Sequence, residues 1–236
     1  MIPVGGGGLI AGNAIAAKGV NPAIKIVGAE AARFPSMSSA LQGLPITCGS
    51  STIAEGIAVK EPGHLTLPIV RALVSEIALV EEHDLEEAVL LLLEVEKTVV
   101  EGAGAAGLAA IIKYHPTFAG RKVGVILSGG NIDLMVLSSI IQRGLVRSAR
   151  LVRLRIELRD VPGALAEITK CIGEMDANIV EVRHQRTFTT APLQSAEVEF
   201  VLQTRGHDHV EQIVTTLAQT RYRVFSPDGN VSSIQG

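Results

Sequence analysis

A run of four glycines near the start of the chain has the composition of an anion-binding turn. The run consists of Gly5, Gly6, Gly7 and Gly8. Glycine lets the backbone approach a ligand closely, and the free N–H groups at a helix N-terminus favour a negative charge. Leu9 opens a helical pattern directly after the run, so the segment predicts phosphate binding. A merely tight turn is the less favoured alternative, because four consecutive glycines are costly in backbone entropy.

The same run also satisfies a loose dinucleotide-binding pattern. Gly6, Gly8 and Ala11 match G-x-G-x-x-[G/A]. Glu30 follows about 20 residues later, where an acid that binds ribose is expected. A solvated acid at the end of a strand is the other interpretation of Glu30. Because this pattern often occurs by chance, the loop alone leaves phosphate and dinucleotide binding open.

Three further segments are rich in glycine and small residues. Their sequences are TIAEGIAV at 52–59, VEGAGAAGLAA at 100–110 and LSGGNID at 127–133. Together with PVGGGGL at 3–9, they resemble the fold-type II pyridoxal-phosphate-dependent enzymes, and within these the threonine/serine dehydratases. The resemblance extends over essentially the whole chain and favours a phosphate over a dinucleotide.

The resemblance implies a set of contacts to pyridoxal 5'-phosphate. The residues implied are Gly5, Gly6, Gly7, Gly8, Leu9, Glu101, Ser128, Gly129 and Asn131. The glycine loop would hold the cofactor phosphate, and Glu101 would approach the ring. Ser128 would hydrogen-bond the pyridine nitrogen. A neutral hydroxyl does not hold that nitrogen protonated, which suits β-elimination better than transamination.

A cation site is also implied by the resemblance. Glu30 would be its acid, completed by the carbonyl of Phe34 and the side chain of Ser36. Ser36 replaces the carboxylate of some relatives, so a weaker site or a monovalent ion is expected.

The implied reaction removes water from L-threonine or L-serine and yields a 2-oxo acid (2-oxobutanoate from threonine) and ammonia. This chemistry needs a lysine that forms a Schiff base with the cofactor. In the family that lysine lies in a Ser-x-Lys-x-Arg segment before the glycine loop. None of the seven lysines here has that context, so we expect the 236 residues alone to be inactive. A serine racemase-like enzyme and a non-catalytic amino-acid-binding or dimerisation fragment are the alternatives.

The elements around these motifs alternate between strand-like and helix-like patterns. Short β-branched runs at 25–29 and 122–127 predict buried strands, and 85–100, 104–114 and 132–143 predict helices. Such alternation indicates an α/β layer with a mainly parallel sheet. The expected fold is part of a fold-type II large domain, similar to the tryptophan synthase β subunit.

The pattern changes near residue 150. Apolar and charged residues alternate strictly over 151–159, which predicts a half-solvated strand. A helix, two strands, a helix and a last strand follow, so the order βαββαβ predicts a ferredoxin-like unit. We therefore expect a partial catalytic domain at 1–148 and a regulatory domain at 151–236.

The turn after the first of these strands resembles that of ACT domains, the regulatory modules of amino-acid metabolism. Its residues are Asp160, Val161, Pro162, Gly163, Ala164 and Leu165. The resemblance implies that they bind an amino-acid effector between paired domains, and free N–H groups at a helix start suit its carboxylate. A dimerisation module without a ligand is the alternative. His184 is expected to be a surface residue rather than a ligand contact.

Composition excludes several other classes. The net charge is -3 and aromatic residues make up 3%, which argues against a nucleic-acid-binding protein. The apolar run at 88–93 is too short to span a bilayer. Cys48 and Cys171 are far apart without metal-type spacing, so free thiols in a reducing cytoplasm are expected.

A half-solvated sheet with open edges predicts a homo-oligomer through the second domain. The sequence leaves open whether the enzyme serves isoleucine biosynthesis or a catabolic route.

Overall fold

The computed structural model describes residues 1–186, 192, 194–220 and 222–225. The chain divides into two compact units, 1–141 and 142–236.

The first unit contains a three-stranded sheet in which neighbouring strands are parallel. Its strands are β1 (Ile2–Pro3), β2 (Val27–Ala31) and β3 (Glu76–Val80), in the order β1-β2-β3. All five residues of β2 are buried. This agrees with the predicted parallel sheet, although β2 begins two residues later than the strand expected at 25–29.

The strand predicted at 122–127 is wrong. This segment makes two hydrogen bonds beside β1: the Met1 N–H donates to the Gly124 carbonyl (2.8 Å), and the Ile126 N–H donates to the Met1 carbonyl (3.1 Å). The next donor of this parallel pattern would be Pro3, which has no N–H. The pairing therefore stops, and residues 122–127 stay exposed or half-buried in a non-regular conformation.

Helices surround this sheet. They are α1 (Gly8–Val20), α2 (Ser36–Gln42), α3 (Thr66–Leu73), α4 (Glu82–Leu91), α5 (Gly102–Lys113), α6 (His115–Phe118) and α7 (Leu134–Arg147). The Glu81 N–H donates to the Asp84 carboxylate (2.8 Å) at the start of α4. The helix predicted over 85–100 ends earlier, because a π-helical turn follows at Leu92–Glu96 and Lys97 adopts φ 55°.

The core of the first unit lies around α5. This helix packs against α4 and all three strands. Ala105, Ala106 and Ala109 are fully buried within it. Because these side chains are small, the helix backbone can approach its neighbours closely, and this fixes the position of the residues that precede α5.

The second unit is the predicted βαββαβ arrangement. Its elements are β4 (Leu151–Arg159), α8 (Ala164–Glu174), β5 (Asn178–Gln185), β6 (Ser195–Gln203), α9 (His207–Gln219) and β7 (Arg223–Phe225). The strands form an antiparallel sheet in the order β5-β6-β4-β7.

The alternation along β4 gives this sheet one buried face. Leu154 lies opposite Phe200 and Ile156 lies opposite Val198, and all four side chains are fully buried. Helices α8 and α9 cover this face with further buried apolar residues. Full burial of such a side chain contributes about 1.5–3 kcal/mol, so this face fixes the register of the sheet.

Candidate functional site

The four glycine-rich segments converge in the first unit. A Cβ at Gly5 would lie 3.0 Å from Ile57 Cα, and one at Gly56 would lie 3.1 Å from Ala103 Cβ and 3.6 Å from Glu101 Oε1. A Cβ at Gly129 would overlap the Glu101 carboxylate. The segments at 3–9, 52–59, 100–110 and 127–133 therefore contact one another in turn. At these junctions only a residue without a side chain fits unless its neighbours move.

The glycine loop is held on its carbonyl side. The Gly6 carbonyl accepts hydrogen bonds from the Thr66 hydroxyl (2.6 Å) and from the Gly63 N–H (3.0 Å). Gly7 adopts φ 90°, and a Cβ there would lie 2.6 Å from the Met37 Cε. The loop is thus fixed by residues far along the chain, and its conformation requires glycine at position 7.

The N–H side of this loop is open. Five backbone N–H groups of the loop have no hydrogen-bond acceptor in the part of the chain that the structure describes: those of Gly5, Gly6, Gly7, Gly8 and Leu9. A Cβ at Gly6 or Gly8 would meet no atom within 4 Å. The loop leads into α1, a helix of 13 residues whose N-terminus favours a negative charge. These residues fit a phosphate group.

A second part of the site lies where α5 begins. The Glu101 N–H donates to the Gly129 carbonyl (3.1 Å), and the Glu101 carbonyl accepts from the Ala105 N–H (3.0 Å). A Cβ at Gly104 would lie 2.6 Å from the Gly129 carbonyl oxygen. The Glu101 carboxylate and the 127–133 segment are therefore locked together. Ser128 and Asn131 are exposed on either side of this contact.

Glu30 is buried at the end of the same sheet. Its carboxylate accepts hydrogen bonds from the N–H groups of Met37 (2.7 Å) and Ser38 (2.9 Å), in the first turn of α2. Its side chain is 0% exposed, so the interpretation as a solvated acid is wrong. Burial raises the pKa of the Glu30 carboxyl to about 7, although both N–H donors favour the charged form.

The other two residues of the expected cation site lie close by in sequence. Ser36 Oγ is buried near the carboxylate but makes no hydrogen bond of normal geometry within the described residues. The Phe34 N–H donates to the Ala31 carbonyl (2.8 Å), and the Phe34 side chain is buried. Among residues 1–186, 192, 194–220 and 222–225, no group of three or more His, Cys, Asp or Glu side chains could hold a metal. The cation site stays a prediction.

The turn expected to bind an effector lines a cavity of about 460 Å³ in the second unit. All six residues at 160–165 contribute to it, together with His184 and Arg186 from β5 and its end. Arg186 Nε donates to the Asp160 carboxylate (3.0 Å). Gly163 adopts φ 91° at the start of α8. His184 is exposed as expected, yet it also lines this cavity.

A larger cavity, of about 600 Å³, lies elsewhere in the first unit. Met1, Asn13, Ile24, Phe118 and Val125 are among its lining residues. None of the predicted cofactor contacts lines it, so the converging glycine-rich segments, and not this cavity, are the candidate cofactor site.

Comparison with protein families agrees with this geometry. Residues 1–129 match the family described as pyridoxal-phosphate dependent enzyme. The chain belongs to this family. Residues 147–222 match the ACT domain. The dinucleotide interpretation of the glycine loop is therefore wrong.

Individual relatives in this family point the same way. The chain is 43% identical over 229 residues to the L-threonine ammonia-lyase of Geobacter sulfurreducens and 41% identical over 226 residues to that of Thermotoga maritima. Each alignment covers 95% of this chain and 56% of the relative, so the chain spans about half the length of these proteins. The structure of maize serine racemase matches 62% of this chain and 46% of that chain, with 37% identity and a TM-score of 0.53.

Several residues at these sites were not predicted from the sequence. Gly63 and Thr66 fix the glycine loop, and Arg186 and His184 line the effector cavity. Nothing in a single sequence marks the first pair, because they act across about sixty positions of the chain. His184 was expected at the surface, but its proximity to the turn at 160–165 depends on the sheet order.

Proposed function

We propose that this chain supplies cofactor and effector contacts of a pyridoxal-phosphate-dependent threonine (serine) dehydratase. The reaction takes the α-proton and the β-hydroxyl from L-threonine as water, and hydrolysis of the resulting imine gives 2-oxobutanoate and ammonia. The observation that carries the proposal is the convergence of all four glycine-rich segments on one place. L-threonine or L-serine is the proposed substrate, and both named L-threonine ammonia-lyases support this choice.

The residues present fit pyridoxal 5'-phosphate at two points. The open N–H groups at 5–9 would hold the phosphate, and the Glu101–Gly129 contact would lie beside the ring with Ser128 and Asn131. When bound, the cofactor supplies an electron sink for the pair left by the α-proton. The Ser128 hydroxyl is neutral, so it would bind the ring nitrogen without holding a proton on it. None of the seven lysines is proposed as the Schiff-base residue.

Titration of the 236-residue chain with pyridoxal 5'-phosphate tests this proposal. We expect saturable binding, followed by absorbance, that inorganic phosphate weakens by competition. Ser128→Ala should shift the absorbance of the bound cofactor, because the ring nitrogen loses its partner. Ser139→Ala is the matched control, since Ser139 lies in α7 and its hydroxyl donates, within the described residues, only to the Met135 carbonyl. Absence of binding, or equal binding of a nicotinamide dinucleotide, would contradict the proposal.

The second unit is proposed to regulate this activity by binding an amino acid at the turn 160–165. The cavity that this turn shares with His184 and Arg186 supports the proposal. Isoleucine biosynthesis in the cytoplasm is the proposed setting, with isoleucine as the first effector to test. Calorimetry with isoleucine, valine and threonine should show heat for at least one of them. No helix of the described residues has the length and apolarity to cross a membrane.

A serine racemase-like activity is the second candidate. The match to maize serine racemase favours it, while the ACT domain match favours a dehydratase under pathway control. Because this chain alone is expected to be inactive, the test uses a cofactor-loaded protein that joins it to a segment carrying the Schiff-base lysine, and incubation of that protein with L-serine separates the two activities. We expect a 2-oxo acid as the main product, and D-serine as the main product would favour the racemase.

We also propose that the second unit makes the protein a homo-oligomer, supported by the open edge of its sheet.

A further inference from the structure

Segment 52–59 lies between the two parts of the candidate cofactor site. On one side it contacts the glycine loop, because a Cβ at Gly5 would lie 3.0 Å from Ile57 Cα. On the other side it contacts the first turn of α5, because a Cβ at Gly102 would overlap the Ile53 carbonyl. The distance between the phosphate side and the ring side of the site therefore depends on where this segment lies.

Regular secondary structure does not fix the place of this segment. Residues 44–54 belong to no helix or strand, and a short helical turn follows at Glu55–Ile57. The hydrogen bonds within the segment are local: the Ala54 N–H donates to Thr52 Oγ1 (3.1 Å), and the Ile57 N–H donates to the Ala54 carbonyl (3.0 Å). Such bonds set the shape of the segment but not its position against its neighbours.

The Glu82 carboxylate supplies a hydrogen bond from outside the segment. Its Oε2 accepts from the Ile53 N–H (3.0 Å), which has no other acceptor within the described residues. Glu82 is half-buried as the first residue of α4, and α4 packs against α5. Hydrogen bonds to a charged acceptor are stronger than those between neutral groups. A second bond, from Arg33 Nη1 to the Ser51 carbonyl (3.1 Å), is exposed and lies just before the segment.

We propose that Glu82 is a positioning residue for pyridoxal 5'-phosphate, because its bond to the Ile53 N–H sets the distance between the glycine loop and Glu101. The inference rests on the proposed function and adds a residue outside the four glycine-rich segments. Glu82 needs no contact with the cofactor for this role. A cofactor that spans the loop and the Glu101 side is sensitive to this distance, whereas inorganic phosphate contacts the loop alone.

The affinities for these two ligands test the role of Glu82 in the 236-residue chain. Glu82→Ala removes the acceptor and should weaken the binding of pyridoxal 5'-phosphate about tenfold in an absorbance titration. The affinity for inorganic phosphate, measured by calorimetry, should stay within about twofold of that of the unmodified chain, because Gly63 and Thr66 hold the loop. Glu82→Gln is the matched control. It loses the same charge but keeps an acceptor oxygen at the same reach, so it should restore most of the cofactor affinity.

Amide hydrogen exchange without any ligand gives a second measurement. Glu82→Ala should speed exchange at residues 53–57, because the segment is no longer held from outside, while β2 keeps its rate. Glu82→Gln should change the exchange at 53–57 much less.

Three results would overturn the inference in a chain that binds both ligands. Equal losses of affinity for phosphate and cofactor in Glu82→Ala would mean that Glu82 only stabilises the fold. Unchanged cofactor affinity or unchanged exchange at 53–57 would mean that the segment keeps its place without Glu82. Failure of Glu82→Gln to restore binding would show that charge, and not the hydrogen bond, matters. An unmodified chain that binds phosphate but not pyridoxal 5'-phosphate would defeat the proposed function and this inference with it, so the two failures are distinguishable.

Discussion

The carboxylate of Glu101 fills the space that a side chain at Gly129 would need, while the Glu101 N–H bonds the Gly129 carbonyl. Gly129→Ala should displace the carboxylate, which is the movable end of a flexible side chain. We therefore expect a small change in the thermal midpoint but about tenfold weaker binding of pyridoxal 5'-phosphate. Gly124→Ala is the control, because its Cβ would meet nothing within 4 Å. Equal affinities of the two variants would show that Glu101 does not shape the cofactor site.

Two glycine-to-alanine variants, one in the glycine loop and one in the helix after it, should change the stability of the protein in opposite directions. Gly7→Ala forces a side chain onto φ 90° and against the Met37 Cε, which should destabilise the protein by roughly 1–3 kcal/mol. Gly12→Ala lies within α1 with open space around it, and should stabilise it by about 0.5–1 kcal/mol. Denaturant unfolding of both variants measures the two effects. If Gly7→Ala leaves the free energy of unfolding unchanged, the loop adapts to the added side chain.

Glu30 should make stability depend on pH. Because burial raises its pKa from 4.5 to about 7, the folded state holds the proton more tightly than the unfolded state. This stabilisation is fully present below pH 4.5 and is lost as the pH rises through about 7. Its size is on the order of 3 kcal/mol.

Glu30→Gln should remove this loss, because an amide does not ionise. Unfolding in denaturant at a series of pH values gives the comparison. The variant should also lose about 1 kcal/mol at low pH, since the amide nitrogen of glutamine cannot accept from the second backbone N–H, whereas the hydroxyl oxygen of the protonated acid still can. Glu87→Gln, on an exposed part of α4, should keep the pH dependence of the unmodified chain. If the Glu30→Gln variant kept the pH dependence of the unmodified chain, Glu30 would not be the group that causes it.

The effector turn can be tested without altering its polar groups. Gly163 adopts φ 91° with no atom within 4 Å of an added Cβ, so Gly163→Ala should cost about 1–2 kcal/mol through backbone strain alone. Gly173→Ala, inside α8 and equally open, should stabilise the unit by about 0.5–1 kcal/mol. We expect effector heat in calorimetry to weaken only for Gly163→Ala. Unchanged heat would place the effector elsewhere.

The second unit was predictable from sequence to within a few residues. The strict alternation over 151–159 and the apolar spacing of the helices each follow from one buried face. The bounds of β4, 151–159, match the predicted strand, because the alternation of apolar and charged residues covers the same positions. Local patterning sufficed because each element contributes to one small core.

The first unit was less predictable where its structure depends on distant partners. The residues at 122–127 have a strand-like composition, but composition does not show that Pro3 lacks the donor they need. Glu30 was assigned to a cation or to solvent, because its two N–H donors in α2 are visible only once β2 and α2 are folded together. The four glycine-rich segments were identified, yet the clamps on the first of them, Gly63 and Thr66, were not.

The missing N–H of Pro3 has a consequence for local stability. Residues 122–127 connect to β1 through two hydrogen bonds at Met1, so opening this stretch breaks far less structure than global unfolding does. We expect amide hydrogens at 123–128 to exchange with solvent much faster than those of β2. Ser128 would then be attached to a segment that opens and closes, while the glycine loop remains rigid. The free energy of closing that segment would then contribute to the affinity for the cofactor ring. Slower amide exchange at 123–128 when the cofactor is bound would report this closure.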